Sequence, residues 1–244
     1  MNLWSSPWMV AVLLNGTLAL LAWFSPQQAL TRAGLVHAAI LGILVWGGLG
    51  WRGYVVVAAY FLVGTAVTRL GRALKEAKGI AEKRGGARGP ENVWGSALTG
   101  AVCAVGFAIG GQPWWWLGYC ASFAAKLADT VSSEVGKAYG RRTFLVTTWQ
   151  AVPPGTEGAV SLEGSLAGIA AALLLSGLGT VLGGKDALWW LICGGSGILA
   201  TFGESWLGVW QERIPGLTNE RVNAIQTTVA ALLAIGIALG IKIQ

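Results

Sequence analysis

Eight apolar runs make up most of the chain, at 8–24, 34–49, 53–68, 93–110, 115–130, 159–182, 187–211 and 222–241. A helix needs roughly 20 apolar residues to cross a bilayer, within a range of about 17–25. The runs are too long and continuous for the alternating segments of about ten residues that build a membrane barrel, so strands are not expected. They predict an all-α fold, a polytopic transmembrane bundle of about eight spans. The fifth run is the weakest, because it leads straight into Lys126 and Asp129. Only 11% of the 244 residues are charged, against about 25% in soluble domains. That leaves too little polar surface for water on all sides, and a single transmembrane domain over 1–244 is expected. The first 24 residues lack a basic start and a small-residue cleavage site, so they read as a retained span and not as a signal peptide.

The basic residues predict the orientation. With eight spans, alternate loops share a side. One set of loops holds Arg32, Arg69, Arg72, Lys75, Lys78, Lys83, Arg84, Arg88, Lys126, Lys137, Arg141, Arg142, Arg213 and Arg221, leaving Arg52, Lys185 and Lys242 for the other. The positive-inside rule puts the first set in the cytosol and both termini on the non-cytosolic side. This is charge that sets topology, and it argues against a nucleic-acid groove. Tryptophans fall near the predicted ends, Trp4 and the Trp114–Trp116 run on the outer side among them, as interfacial anchors do.

Several features have ordinary explanations. Glycine pairs at small-xxx-small spacing, such as Gly164/Gly168 and Gly236/Gly240, let helices approach closely in lipid. Cys103, Cys120 and Cys193 lie inside apolar runs and read as core residues. His37 is the only histidine, which removes the natural base of Ser–His or Cys–His catalysis and disfavours a His/Cys zinc site.

Four polar segments all map to the predicted cytosolic side. The loop 69–92 begins with charges at helical spacing, which read as a solvated amphipathic turn touching anionic lipid. It ends in Gly85-Gly86-Ala87-Arg88-Gly89-Pro90-Glu91-Asn92, where glycines permit close backbone approach and Arg88 suits a phosphate. In the second segment Lys126, Asp129, Ser133 and Lys137 share a helical stripe, with Thr130 beside them and Glu134 about 140° further round. Carboxylates, hydroxyls and ammonium groups at a membrane border suit a Mg²⁺–phosphate site; a plain Lys126–Asp129 ion pair between helices is the other reading. The third segment, 147–164, turns at Pro153-Pro154-Gly155 and opens a helix whose N–H groups suit an anion, with Glu157 and Glu163 nearby. An ordinary capped helix start is the other reading. The fourth holds Glu204, Glu212, Asn219, Glu220 and Asn223. Glu204 lies within a span and needs a partner, while capping alone would explain Asn219.

At these segments the chain resembles the integral-membrane phytyl-phosphate kinases of the vitamin E and phylloquinone pathway, distant relatives of polyprenol and dolichol kinases and of CDP-diacylglycerol synthase. The resemblance rests on Ala125-Lys126-Leu-Ala-Asp129-Thr130-Val-Ser132-Ser133-Glu134-Val-Gly136 and on Gly155-Thr156-Glu157-Gly158-Ala-Val-Ser161-Leu-Glu163-Gly164. Residues 79–92 and 218–223 add to it. Glu204 and Glu220 depart from the family's frequent Asp, which keeps the charge on a longer arm.

The resemblance implies phosphoryl transfer from a nucleoside triphosphate to phytyl or another prenyl monophosphate. No P-loop occurs, so the nucleotide is held differently. Lys126, Asp129 and Glu134 are the expected catalytic residues. Arg88, Asn92, Thr130, Ser133, Lys137, Thr156, Ser161, Asn219 and Asn223 are expected at the substrate or nucleotide, and Asp129, Glu134, Glu157, Glu163 and Glu204 at Mg²⁺. The implied partners are the prenyl-phosphate lipid, the nucleotide and membrane lipids, in a plasma or thylakoid-type membrane with the site facing the cytosol. A polyprenol kinase, a CTP-dependent cytidylyltransferase and a transporter of a phosphorylated metabolite are the alternatives.

Overall fold

The computed structural model describes residues 6–25, 29–211 and 213–242, the side chain of Lys83 excepted; Trp4 and Glu212 lie outside them. The described residues form α1 (Pro7–Trp23), α2 (Arg32–Arg69), α3 (Arg72–Ala77), α4 (Pro90–Gly110), α5 (Pro113–Tyr139), β1 (Thr143–Leu145), β2 (Ala159–Ser161), α6 (Leu162–Leu182), α7 (Ala187–Gln211) and α8 (Asn219–Gly240). Proline opens α1, α4 and α5, where its missing N–H costs nothing. Thr31, Ser161 and Thr218 cap α2, α6 and α8 with their hydroxyls. Capping at α8 therefore falls to Thr218 and leaves Asn219 as the first helical residue.

The second and third predicted runs appear as one helical segment of 38 residues, broken at Gly50 (φ 65°, ψ −161°). A straight helix of that length spans about 57 Å, and Gly34 and Gly64 would then stand about 45 Å apart. Both touch Arg88: a Cβ on Gly34 would lie 2.4 Å from the Arg88 carbonyl oxygen, and one on Gly64 would lie 2.9 Å from its guanidinium. The two halves of α2 are therefore antiparallel. Gly50 makes the reversal in a backbone region that only glycine adopts without strain.

The weakest predicted span, α5, is the centre of the bundle. It packs on α2, α4, α6, α7 and α8, and every residue from 116 to 129 is buried. Small residues on both sides make this possible. A Cβ on Gly164 or Gly168 would strike the backbone of Ser132 or Ala128, and one on Gly197 would crowd Ala124 and Ala125. Residues outside this ring are apolar and exposed, including Leu13, Leu20, Leu174, Val181, Leu199 and Leu232, whereas Ser122, Ser176, Ser196, Gln226 and Thr227 are buried. That inside-out pattern suits a lipid solvent. Among the described residues four helices, α2, α4, α6 and α8, are long and apolar enough to cross a membrane, and α1 is a shorter apolar helix.

Three expectations change. Strands do occur: β1 and β2 pair antiparallel, with Phe144 opposite Val160. Residues 159–161 thus belong to a hairpin, and the sixth helix starts at Leu162. The Pro-Pro-Gly stretch prevents a helix, and a short ladder supplies backbone partners instead. Trp116 is no interfacial anchor, being 7% exposed, stacked on Tyr119 and donating to the Gly179 carbonyl at 3.1 Å. Lys75 is not solvated, because α3 folds back onto the end of α5.

Gly50 and Gly16 make a test of the reversal. Nothing lies within 4 Å of a Cβ at either position. Gly50→Ala is expected to lower stability by about 1–3 kcal/mol through backbone strain alone. Gly16→Ala, in a regular helix, is expected to cost nothing; thermal unfolding in detergent measures both.

Candidate functional site

Antiparallel packing brings six helix ends and two loops together at one end of the bundle. They enclose a cavity of about 610 Å³. Of the residues singled out in the sequence, Arg88, Asn92, Lys126, Asp129, Thr130, Ser133, Glu134, Lys137, Thr156, Glu157, Ser161, Glu204, Asn219 and Asn223 all line it. Glu163 does not; it sits on the first turn of α6, and its carboxylate accepts the backbone N–H of Arg141 at 3.4 Å.

Lys126 lies at the inner end. Its ammonium donates to the Asp129 carboxylate one turn on and to Asn223 Oδ1 of α8 at 2.8 Å. The Lys126–Asp129 pair is thus real but lies within α5, and it is the Lys126–Asn223 bond that joins two helices at the cavity wall. Asp129 accepts a long contact from Ser133 Oγ at 3.5 Å. Glu204 of α7 faces Asp129, Lys126 and Glu157. Beneath this group Gln226 donates to the Ala125 carbonyl and to Thr201 Oγ1, tying α8 to α5 and α7.

Glu134 belongs to a second group. It accepts from Lys75 and lies 3.6 Å from Lys137, whose ammonium donates to Glu82 at 2.9 Å. Lys75 is 1% exposed and also donates to the Thr68 carbonyl at 2.7 Å. The two lysines and two glutamates alternate and bind the 79–92 loop to α5. Burial pushes the Glu82 carboxyl up, but the Lys137 ammonium outweighs this and holds it below its ordinary value. The role of Lys75 was hidden because its partner lies 59 positions away. Only its place among the helically spaced charges of the loop hinted at it.

The glycine-rich segment meets the cavity from the α2 side. Arg88 exchanges backbone hydrogen bonds with Ala29 and Thr31, each at 3.0 Å, which fixes the loop across the start of α2. Its guanidinium lies 5.5 Å from the Tyr60 ring and 5.6 Å from the Phe61 ring. It pairs with no carboxylate among the described residues. Asn92 joins α4 to α8 by donating to Glu220 at 3.2 Å, while its oxygen accepts from Gly89 N and Arg84. His37 has a packing role: its Nδ1 accepts from the Trp94 indole at 2.8 Å.

Several hydroxyls serve the backbone. Thr130 donates to the Lys126 carbonyl at 2.9 Å, and Thr156 to that of Pro153 at 2.8 Å. Ser161 accepts from Gly164 N at 3.1 Å as the α6 cap. These side chains shape the cavity wall while their own bonds are local. No three His, Cys, Asp or Glu residues among the described ones converge closely enough to hold a metal unaided. Asp129 and Glu204 remain a facing pair. Mg²⁺ commonly takes one or two carboxylates and completes its shell with substrate phosphates and water, so this pair fits it.

Residues 15–231 match the family described as integral membrane protein DUF92. The chain belongs to that family. It is 56% identical over 235 residues to the uncharacterized membrane protein sll0875 of Synechocystis sp., covering 95% of this chain and 91% of the relative. It is 41% identical over 239 residues to protein VTE6, chloroplastic, of Arabidopsis thaliana, covering 95% and 72%. It is 32% identical over 227 residues to the uncharacterized membrane protein MJ0933 of Methanocaldococcus jannaschii, covering 93% and 92%. No solved structure matches it.

Lys75 gives a test that separates architecture from chemistry. Lys75→Met leaves Glu134 buried without its close partner and is expected to destabilise the protein by about 3–5 kcal/mol. Adding Glu134→Gln is expected to restore part of that loss. Thermal melts of the two single variants and the double variant read the coupling.

Proposed function

We propose that this membrane protein is a prenyl-phosphate kinase acting on phytyl monophosphate, serving tocopherol or phylloquinone synthesis. The observation that carries this reading is the cavity itself: Lys126, Arg88 and Lys137 reach it together with Asp129, Glu204 and Glu157, all at one end of an apolar bundle. The motif resemblance to phytyl-phosphate kinases and the extended identity to the chloroplastic relative support it.

The charge balance of the lining bears on the cofactor. Among the described residues the lining carboxylates are Glu82, Asp129, Glu134, Glu157, Glu204 and Glu220 and the lining cations Arg84, Arg88, Lys126 and Lys137, with Lys75 balancing Glu134 from behind the wall. A polyphosphate entering such a site needs added positive charge. Asp129 and Glu204 would hold Mg²⁺, which would supply that charge at the phosphates. Arg88, with no carboxylate to satisfy, presents its fork to a phosphate. Lys126 sits against Asp129 and within reach of the same anion.

In the reaction, a nonbridging oxygen of phytyl phosphate attacks the γ-phosphorus of the nucleotide. The bond to the β–γ bridging oxygen breaks, and the nucleoside diphosphate leaves with that electron pair. The product is phytyl diphosphate. The attacking oxygen is already anionic, so no strong base is required. Positioning and charge neutralisation carry the rate.

The membrane arrangement follows the same reading. The antiparallel halves of α2 supply two crossings and bring the count to eight, with both termini outside. The cavity then faces the cytosol, where the nucleotide is, and the basic loops lie on that side.

Purified protein with Mg²⁺, phytyl phosphate and a panel of nucleoside triphosphates tests the proposal. Release of nucleoside diphosphate and formation of phytyl diphosphate are expected. Release of pyrophosphate instead would mark a cytidylyltransferase. Asp129→Asn is expected to lower turnover by about 10²–10³-fold, and a wild-type rate in that variant removes Asp129 from the mechanism.

A further inference from the structure

The lining of the cavity changes character on one side. On α6 and α7, farther from the helix ends, Ile169, Ile198 and Phe202 enter the lining beside the polar Ser165, Thr201, Glu204 and Ser205. Phe202 lines the cavity and is 43% exposed. Ile169, Ile198 and Phe202 thus form an apolar strip of the lining.

α6 and α7 pack differently at their two ends. At the end remote from the cavity the two helices clasp: Trp190 Nε1 donates to the Leu173 carbonyl at 2.8 Å, and a Cβ on Gly194 would lie 3.0 Å from both Leu173 and Ser176. Nearer the cavity the glycines of both helices turn to α5, with Gly164 and Gly168 against Ser132 and Ala128, and Gly197 against Ala124 and Ala125. A Cβ on Gly203 would meet nothing within 4 Å. The hairpin loop roofs the slot, since a Cβ on Gly158 would lie 2.4 Å from the Val209 side chain and 2.7 Å from the Ser205 carbonyl oxygen. Other seams at this level are fastened by side-chain hydrogen bonds, α5–α8 by Lys126–Asn223, α4–α8 by Asn92–Glu220 and α7–α8 by Gln226–Thr201.

We infer that this slot between the cavity-side halves of α6 and α7 holds the hydrocarbon tail of the substrate and passes it sideways into the bilayer, with Ile169, Ile198 and Phe202 as its walls. The inference rests on the reading of the cavity as a site for a lipid phosphate. An amphipathic ligand whose phosphate sits by Lys126 and Arg88 needs an apolar exit continuous with that site. A tail directed through water toward the cavity mouth would lose about 0.8 kcal/mol of burial per methylene. The slot lets the headgroup reach the charged residues while the chain stays in lipid.

Plugging the slot tests this. Ile169→Trp and Ile198→Trp, singly and together, are assayed with phytyl phosphate and with the five-carbon dimethylallyl phosphate, in detergent. The C20-to-C5 ratio of kcat/KM is expected to fall about tenfold or more, with the loss in KM for the long substrate. An unchanged ratio overturns the slot. In parallel, a diazirine at the tail end of a C20 isoprenyl phosphate is photolysed on the wild-type protein. Labelling of the peptides bearing Ile169, Ile198 or Phe202 is expected, and labelling confined to α4 or α8 overturns the route. Labelling in the slot without nucleotide turnover would sink the kinase reading and leave the lipid site standing. Turnover with an unchanged ratio and no labelling would do the reverse.

Discussion

The buried Lys126–Asp129 pair is the constraint around which the rest of the molecule is arranged. A charged side chain set in the middle of a lone helix in lipid costs about 2.5–3.5 kcal/mol on insertion scales. Here the helix that carries both charges never meets lipid along 116–129. Five neighbours enclose it, and the close approach that this requires comes from Gly164, Gly168, Gly179 and Gly197 on the enclosing helices, each of which lies against the backbone or a small side chain of α5. The glycine content that packing in lipid explains is thus also what lets a polar central helix exist. Asn223 completes the pair from α8, so the ammonium makes two bonds to residues that both point into the cavity.

Much of this was legible in the sequence, and the reasons are specific. Apolar runs bounded by charged or glycine-rich segments report helices faithfully, because the solvent outside the bundle selects for them residue by residue. The low apolarity of the fifth run, which looked like weakness, reported its enclosure. The convergence of the 126–137, 155–161 and 219–223 segments was also readable, since an antiparallel bundle with its polar loops on one side must bring them to one end. What stayed hidden depends on long-range pairing. Lys75 and Lys78 sit in the same basic run, and only the distant Glu134 draws the first inward. The two strands are three residues each, too short for an alternation pattern to register. Glu163 is charged and beside the motif, yet the start of α6 points it toward Arg141 and away from the cavity.

The two ion-pair groups divide the work of the site. The Lys75–Glu134–Lys137–Glu82 set is closed on itself and mostly shielded, with Glu82 at its open edge, so its partners are taken. Its effect is to hold the 79–92 loop, and through it Arg88, against the bundle. The Lys126–Asp129–Asn223 set opens onto the cavity and faces Glu204, so its bonds are the ones a ligand can exchange. On the kinase reading, Asp129 and Glu204 would hold Mg²⁺, and the Lys126 ammonium would turn to a phosphate oxygen. Apo and loaded sites would then differ by an exchange of partners among groups already in place, which costs little reorganisation.

One-sidedness follows from the same economy of solvation. A phosphate cannot be carried to the bilayer midplane without stripping its water, and a C20 chain cannot be lifted into the cytosol without exposing its length. A site that serves both must lie where the two solvents meet, polar toward the loops and open sideways toward the lipid. The lining of the cavity fits that requirement. Charged residues line it toward the helix ends, and Ile169, Ile198 and Phe202 add apolar lining on α6 and α7. A transporter would need the charges near the middle and a path to both faces. In this bundle Trp116, Tyr119 and Phe123 are buried in the core of α5 between Lys126 and its far end, which closes that path with aromatic packing.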